Sequence, residues 1–256
     1  MIESMNGLLF LSVVLGYLVL GITGFGSALI AVPLLLQFMP LAEVVPLVLW
    51  LDVAALMVFN SLNLKHIDWP IWQQMLPSIV LGIATATLVV WFWAPSVHWL
   101  LLLLGAYIIW FGVSKLRTEF KPTAQKPSRA AHGFWHIFPF GWMAGMIETL
   151  FGTCGPLVAT GILRQSSNMS LFKATMAAVM LPTALMALST YLMVGSRTSS
   201  EWGRALWLTP VAIAAVWVGH ALGKKVSQQA VRRAVFGLLI ASGFTLLAKA
   251  VAQMMR

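Results

Sequence analysis

The sequence predicts an all-α integral membrane protein of two inverted four-run repeats, each a re-entrant or broken helical hairpin plus three transmembrane helices. Three observations predict it. Of 256 residues, 60% are hydrophobic and 9% charged, with mean hydropathy +0.89; soluble domains run nearer about 45–50% apolar and about 25% charged. The apolar residues fall into runs at 7–38, 41–60, 74–93, 97–114, 134–163, 171–194, 204–222 and 232–253, with short polar separators. The pattern also restarts halfway: a long glycine-interrupted run and three ordinary ones, twice over.

The first run of each half is too long for one ordinary span. As a single helix, 7–38 would reach about 48 Å and 134–163 about 45 Å, against a hydrocarbon core of about 30 Å. Each run carries glycines near its middle: Gly21, Gly24 and Gly26 in GITGFGSALIAVP, and Gly152 and Gly155 in FGTCGP. A break there makes each run a hairpin, with arms 7–22 and 27–38 in the first. The runs 41–60, 74–93 and 97–114 then complete a first repeat, residues 1–114. A basic cytoplasmic linker, 115–133, separates it from a second repeat, 134–256, which closes with 171–194, 204–222 and 232–253. The opening MIESMN holds an acid and no Lys or Arg, so it does not read as a signal peptide, and 7–22 is read as part of the mature fold.

Charge gives the orientation. The chain has 16 Lys/Arg against 7 Asp/Glu, a net +9. The basic residues lie mostly between apolar runs, so they read as loop charges on the cytoplasmic side and not as a nucleic-acid surface. With the linker inside and both hairpins returning to their own side, 12 Lys/Arg lie inside; if the second broken run crosses once, 10 do. The hairpin arrangement therefore fits better, and its odd number of crossings per half inverts the repeats relative to each other.

The breaks have a chemical use. Irregular backbone at membrane depth survives only where protein or a water-filled cavity satisfies it. After each tip a new helix starts, with Ser27 as the expected N-cap of one and Pro156 at the first position of the other. Two helix N-termini then approach the bilayer centre from opposite sides, offering N–H donors and partial positive charge to a small anion. The candidate binding residues are Thr23, Gly24, Phe25, Gly26, Ser27, Thr149, Gly152, Thr153, Cys154 and Gly155. Gly16 and the Gly141-x-x-x-Gly145 pair read equally well as helix-packing glycines.

Two carboxyls lie inside apolar runs, Glu148 near the second tip and Asp52 in VLWLDVAALM. A carboxyl at that depth points to function by default, here as a proton carrier that couples transport to a proton gradient; the competing role for each is a structural polar link. Glu43 and Gln37 sit near a membrane boundary. Lys65, His66, Arg164 and Lys173 read as topology charges or as a funnel for anions, and Lys249 as a snorkelling residue. Trp69, Trp72, Trp91, Trp93, Trp99 and Trp202 fall near run ends as an interfacial belt, with Trp50, Trp110 and Trp217 deeper and packed.

Cys154 is the single cysteine, so no intrachain disulfide forms, and no histidine lies near it in sequence. No metal-ligand spacing and no P-loop pattern occur, so neither metal nor other cofactor is expected.

The stretches GITGFGSALIAVPLL (21–35) and GWMAGMIETLFGTCGPLV (141–158), with NLKHIDW at 63–69 and LFKAT at 171–175, resemble the sulfite exporter TauE/SafE family of membrane transporters. The resemblance covers nearly the whole chain, in the family's order. It departs at Cys154, where many relatives carry a small glycine-like residue, and at Lys173, where arginine is common. It implies a multi-pass protein of the bacterial cytoplasmic membrane that moves small anions, often sulfite or organosulfonates. The expected partners are a small-molecule anion and the lipid bilayer, with no nucleic acid; a homo-oligomer is compatible with the sequence. An anion channel on the same scaffold is the alternative. A membrane enzyme would need a paired nucleophile and base at depth, and a scaffold would not need two glycine breaks.

Overall fold

The structure is a computed structural model that describes residues 2–61, 67–93, 97–120, 134–163, 169–193 and 199–223, together with helical positions 237, 240, 241, 243–245, 247, 248, 250 and 251. Regular structure among the described residues is α-helical throughout. The helices are α1 (Ile2–Thr23), α2 (Ser27–Leu35), α3 (Leu41–Ser61), α4 (Trp69–Trp93), α5 (Val97–Phe120), α6 (Phe134–Phe151), α7 (Gly155–Leu163), α8 (Met169–Met193) and α9 (Ser199–Leu222). Lys65, His66, Arg164, Arg197, Lys224, Lys225, Arg232, Arg233, Lys249, Arg256, His132 and linker residues 121–133, on which much of the charge tally rests, lie outside the described residues. Helix α5 carries on through 115–120, the first part of the expected linker.

Within α3, α4, α8 and α9 lie the apolar stretches Leu41–Ser61, Trp69–Phe92, Leu171–Met193 and Gly203–Leu222, each long enough to cross a membrane. At 1.5 Å per residue, the 21 residues of α3 reach about 31 Å, matching the hydrocarbon core. Both long runs break where the glycines stand. Helix α1 ends at Thr23 and α2 begins at Ser27; α6 ends at Phe151 and α7 begins at Gly155. The arms of each pair fold back on each other. A Cβ at Gly16 would meet Ala31, and one at Gly161 would meet Phe140.

Helices α3 and α8 pack together at the centre. Around them α1 packs most closely on α9, and α4 most closely on α6. Small residues set those two approaches. A Cβ at Gly82 would run into the Trp142 carbonyl and one at Gly219 into the Leu18 carbonyl, backbone against backbone. Gly141 and Gly145 lie against α4 at Met75 and at Ile79 and Ile83, so they serve packing. Gly21 also belongs here: it faces Val216 and His220 of α9 and takes no part in the turn.

The core is apolar and tight, with Tyr17, Leu20, Leu29, Leu49, Leu56 and Met75 fully buried. Every residue of α2 except Leu34 is buried. The outer surface is apolar too, with Trp91, Phe92, Leu103, Trp135, Leu206 and Trp207 exposed. Two expected packing tryptophans belong to this outer face: Trp110 and Trp217 are 64% and 56% exposed. Trp50 stays half-buried and donates to Thr209 Oγ1 at 3.1 Å, joining α3 to α9.

Candidate functional site

The turn after α1 is built by two glycines in the left-handed region, Gly24 at φ +86° and Gly26 at φ +96°, a conformation costly for residues with a Cβ. The Thr23 hydroxyl braces it, lying 2.8 Å from Val19 O and 2.6 Å from Phe25 O and accepting from Phe25 N at 3.3 Å. Gly26, not Ser27, is the N-cap of α2, and it makes no side-chain cap. Ser27 is the first helical residue, and its hydroxyl donates instead to Asp52 Oδ1 at 2.7 Å. Asp52 of α3 is buried directly beside the helix start and offers that hydroxyl an acceptor.

The second turn follows the same plan with different side chains. Gly152 has φ +68°, and its N–H closes α6 on Glu148 O at 2.7 Å, as Gly24 N closes α1 on Leu20 O at 2.8 Å. Cys154 accepts the first bonds of α7, from Leu157 N at 3.0 Å and Val158 N at 3.2 Å. Pro156 is therefore at the second helical position, one later than expected, still in the first turn where its missing N–H is harmless. Thr149 is in the last turn of α6. Its hydroxyl donates to Gly145 O at 3.0 Å, and its carbonyl accepts from the Tyr191 hydroxyl at 2.8 Å. Thr153 and Cys154 are buried.

The two tips meet. A Cβ at Gly155 would lie 3.4 Å from the Phe25 ring and 3.8 Å from Gly26 N. Phe25 also stands edge-on to Phe172 of α8, with ring centroids 6.3 Å apart. The ten candidate residues thus gather at two adjoining turns, though the hydroxyls of Thr23, Ser27 and Thr149 are engaged with the protein itself.

Each half-helix start faces a buried carboxyl. Asp52 accepts from the Ser27 hydroxyl at α2, while the buried Tyr17 hydroxyl donates to Val48 O of the same helix α3 at 3.2 Å. Glu148, 1% exposed, stands in the last turn of α6 just before the start of α7. Glu148 Oε2 is buried and has no hydrogen-bond partner among the described residues, and the same holds for the Tyr107 hydroxyl. No group of three or more His, Cys, Asp or Glu that could hold a metal ion occurs among the described residues.

One cation reaches the first tip. Lys173 of α8 donates from Nζ to Ile22 O at 3.0 Å and packs its stem beside Gly24. Its position in the sequence suggests a loop charge; the helix α8 instead carries it to the end of α1, where a positive group complements the unsatisfied carbonyls. Val45 of α3 takes the corresponding place beside Gly152. Sequence reasoning also passed over Tyr17 and Tyr191: Tyr17 is fully buried and donates to Val48 O of α3, and Tyr191 donates to the Thr149 carbonyl at the second tip. The available signal was their place inside apolar runs, where a phenol hydroxyl needs a partner.

A cleft of about 570 Å³ opens between the ends of α4 and α8. Val90, Trp91 and Met193 line it with Thr87, Thr190 and Tyr191, and it reaches Thr149 at the second tip. The threonine hydroxyls there donate to their own helices, Thr87 to Ile83 O and Thr190 to Ala187 O. In this conformation they present acceptors to the cleft, which suits water and passage better than anion retention.

The sulfite exporter TauE/SafE family model matches residues 8–246. A protein of Comamonas testosteroni described as "Probable inner membrane transporter protein TsaS" is 33% identical over 205 residues, 78% of this chain and 81% of that relative. A protein of Cupriavidus necator described as "Probable sulfite/organosulfonate exporter TauE" is 28% identical over 239 residues, 90% of this chain and 89% of that relative. No solved structure matches at a significant level.

Proposed function

The chain belongs to the sulfite exporter TauE/SafE family, and from that premise we propose that it is a secondary transporter moving a small anion across the cytoplasmic membrane. The anion is sulfite, an organosulfonate or a related sulfur compound; the Cupriavidus necator relative is described as a sulfite/organosulfonate exporter. It binds between the two hairpin tips. The observation that carries this reading is the contact of Gly155 with Phe25 and Gly26, which sets two half-helix starts side by side.

The packing supports two inverted repeats, 1–114 and 134–256. Helices α1 to α4 correspond to α6 to α9, and each strong contact has a counterpart: α1 with α9 and α6 with α4, α3 with α9 and α8 with α4. The same sequence separation divides Gly24 from Gly152 and Val45 from Lys173, and Gly24 lies against Lys173 as Gly152 lies against Val45. Re-entrant hairpins held by the opposite repeat can pass a site from one side of the bilayer to the other as the repeats rock. The cleft reaching Thr149 serves as the approach from one side.

Proton coupling follows from the carboxyls. An anion at either half-helix start meets Asp52 or Glu148, and an ionised carboxylate would repel it. Protonation removes the repulsion, so proton and anion travel in the same direction.

The test is uptake of labelled anions into proteoliposomes, with and without a pH gradient. Saturable flux, lost in Gly155→Leu, supports a tip site. Fast, weakly saturable flux indifferent to the gradient indicates a channel on the same scaffold, and no flux of any sulfur anion removes the assignment.

A further inference from the structure

We infer that Tyr191 of α8 is the gate between the cleft and the second tip, held shut in this conformation by the hydrogen bond from its hydroxyl to the Thr149 carbonyl. This deepens the transport reading and rests on it.

Tyr191 and Thr149 both line the cleft, and they are bonded to each other at 2.8 Å where it reaches the second tip. Thr149 stands in the last turn of α6, whose final carbonyls lack partners within their own helix. The chain then turns through Thr153 and Cys154, both buried. The other hydroxyls that line the cleft are turned into their own helices, Thr87 to Ile83 O, Thr149 to Gly145 O and Thr190 to Ala187 O. Tyr191 is the lining hydroxyl that reaches from one helix to another, α8 to α6. Its release breaks one neutral hydrogen bond and no helix backbone pair, which is a small barrier. The phenol then swings on side-chain torsions while α8 stays in place.

The first tip is closed in another way. The separation that takes Gly24 to Gly152 takes Gly21 to Thr149 and Trp91 to Gly219. In the first hairpin that pair of positions is packed backbone to backbone. A Cβ at Gly219 would lie 3.0 Å from Gly21 Cα, and one at Gly21 would meet Val216 and His220 of α9. In the second hairpin, Thr149 and Trp91 both line the cleft of about 570 Å³, and Trp91 is 75% exposed. The same two positions are pressed together in one half and border a cleft in the other. Helix packing therefore seals the first position, and a single side chain guards the second. Opening at the first requires α1 and α9 to part; opening at the second requires Tyr191 to let go of Thr149.

The chain holds one cysteine, Cys154, in the turn that Thr149 leads into, so the tip carries its own reporter. Its labelling by 2-sulfonatoethyl methanethiosulfonate, a small sulfonate-bearing thiol reagent, is timed by mass spectrometry in the purified full-length protein. Tyr191→Phe, which keeps the ring and removes the bond, should label about tenfold faster than wild type, as expected when one hydrogen bond holds the closed state. Thr87→Trp or Met193→Trp, each filling the cleft, should bring the Tyr191→Phe rate back towards wild type. Uptake of labelled sulfite and methanesulfonate into proteoliposomes is measured on the same preparations. An unchanged labelling rate in Tyr191→Phe with uptake intact overturns the gate and leaves the transport reading standing. Faster labelling that neither cleft-filling variant slows also overturns it, because Tyr191 then only satisfies the end of α6 and its loss loosens the hairpin. Faster labelling that the cleft-filling variants slow, in a protein that takes up neither anion, upholds the gate and counts against the transport reading instead.

Discussion

At the scale of single residues, the site is a set of buried polar groups whose partners are short-range and specific. Ser27 and Asp52 illustrate it. Replacing Ser27 with Ala leaves the buried Asp52 carboxyl one donor short, at a cost of about 1–3 kcal/mol; thermal unfolding in detergent should show a clear fall in Tm. Asp52→Asn keeps the shape and removes the charge. We expect Asp52→Asn and Glu148→Gln to fold and bind anion while losing stimulation of uptake by a pH gradient; full gradient dependence in both would remove their coupling role. Much of this scale was legible. Glu148 and Asp52 stand out as carboxyls in apolar runs, and the threonines and glycines of both turns are visible as interruptions. The roles of the hydroxyls were not legible, because Ser27 chooses between its own helix end and a carboxyl 25 residues away. Lys173 was misplaced for the same kind of reason: only the packing of α8 against the first turn brings it to Ile22 O.

At the scale of elements, both broken helices are set by glycine backbone conformation and by length. The sequence places both breaks correctly, because 32 and 30 apolar residues exceed one span and the glycines mark where the excess is taken up. It does not say which glycine does what. Gly24, Gly26 and Gly152 have positive φ, whereas Gly21 lies in the same cluster and serves the approach of α1 to α9. This difference is testable. Gly24→Ala and Gly152→Ala should each cost about 1–2 kcal/mol through the left-handed backbone, read as a lower Tm with the fold kept. Gly82→Leu and Gly219→Leu should do far more damage, since the added side chain meets backbone of a neighbouring helix that cannot move aside; we expect little folded protein by size-exclusion chromatography. If Gly82→Leu expressed and ran as wild type, the close packing of α4 on α6 would be wrong.

At the scale of the whole molecule, the two halves hold each other. Helix α4 of the first half packs on the hairpin of the second, and α9 of the second on the hairpin of the first. Each hairpin is thus clasped by a helix of the other half, and under the proposed mechanism that clasp is what a rocking motion would act on. Two similar sets of runs are visible in the sequence, but this exchange of partners is not, because contacts between distant elements leave no periodic trace in one sequence. The exposed pair of Arg204 and Glu43, 3.2 Å apart between α9 and α3, adds little to stability. Arg204→Ala should leave Tm within about 1 °C, and a larger loss would mean the α3–α9 contact depends on it.

The central claim is that substrate passes where the hairpin tips meet. The Cβ positions of residues 25 and 155 lie 3.8 Å apart, the usual separation across a disulfide, about 3.8 Å. In a Cys154→Ser background, Phe25→Cys with Gly155→Cys is oxidised in proteoliposomes, and cross-linking is read by mass spectrometry beside anion uptake. The structure predicts a disulfide that stops uptake and a reductant that restores it. No cross-link, or a cross-linked protein that still transports at the reduced protein's rate, would contradict the account.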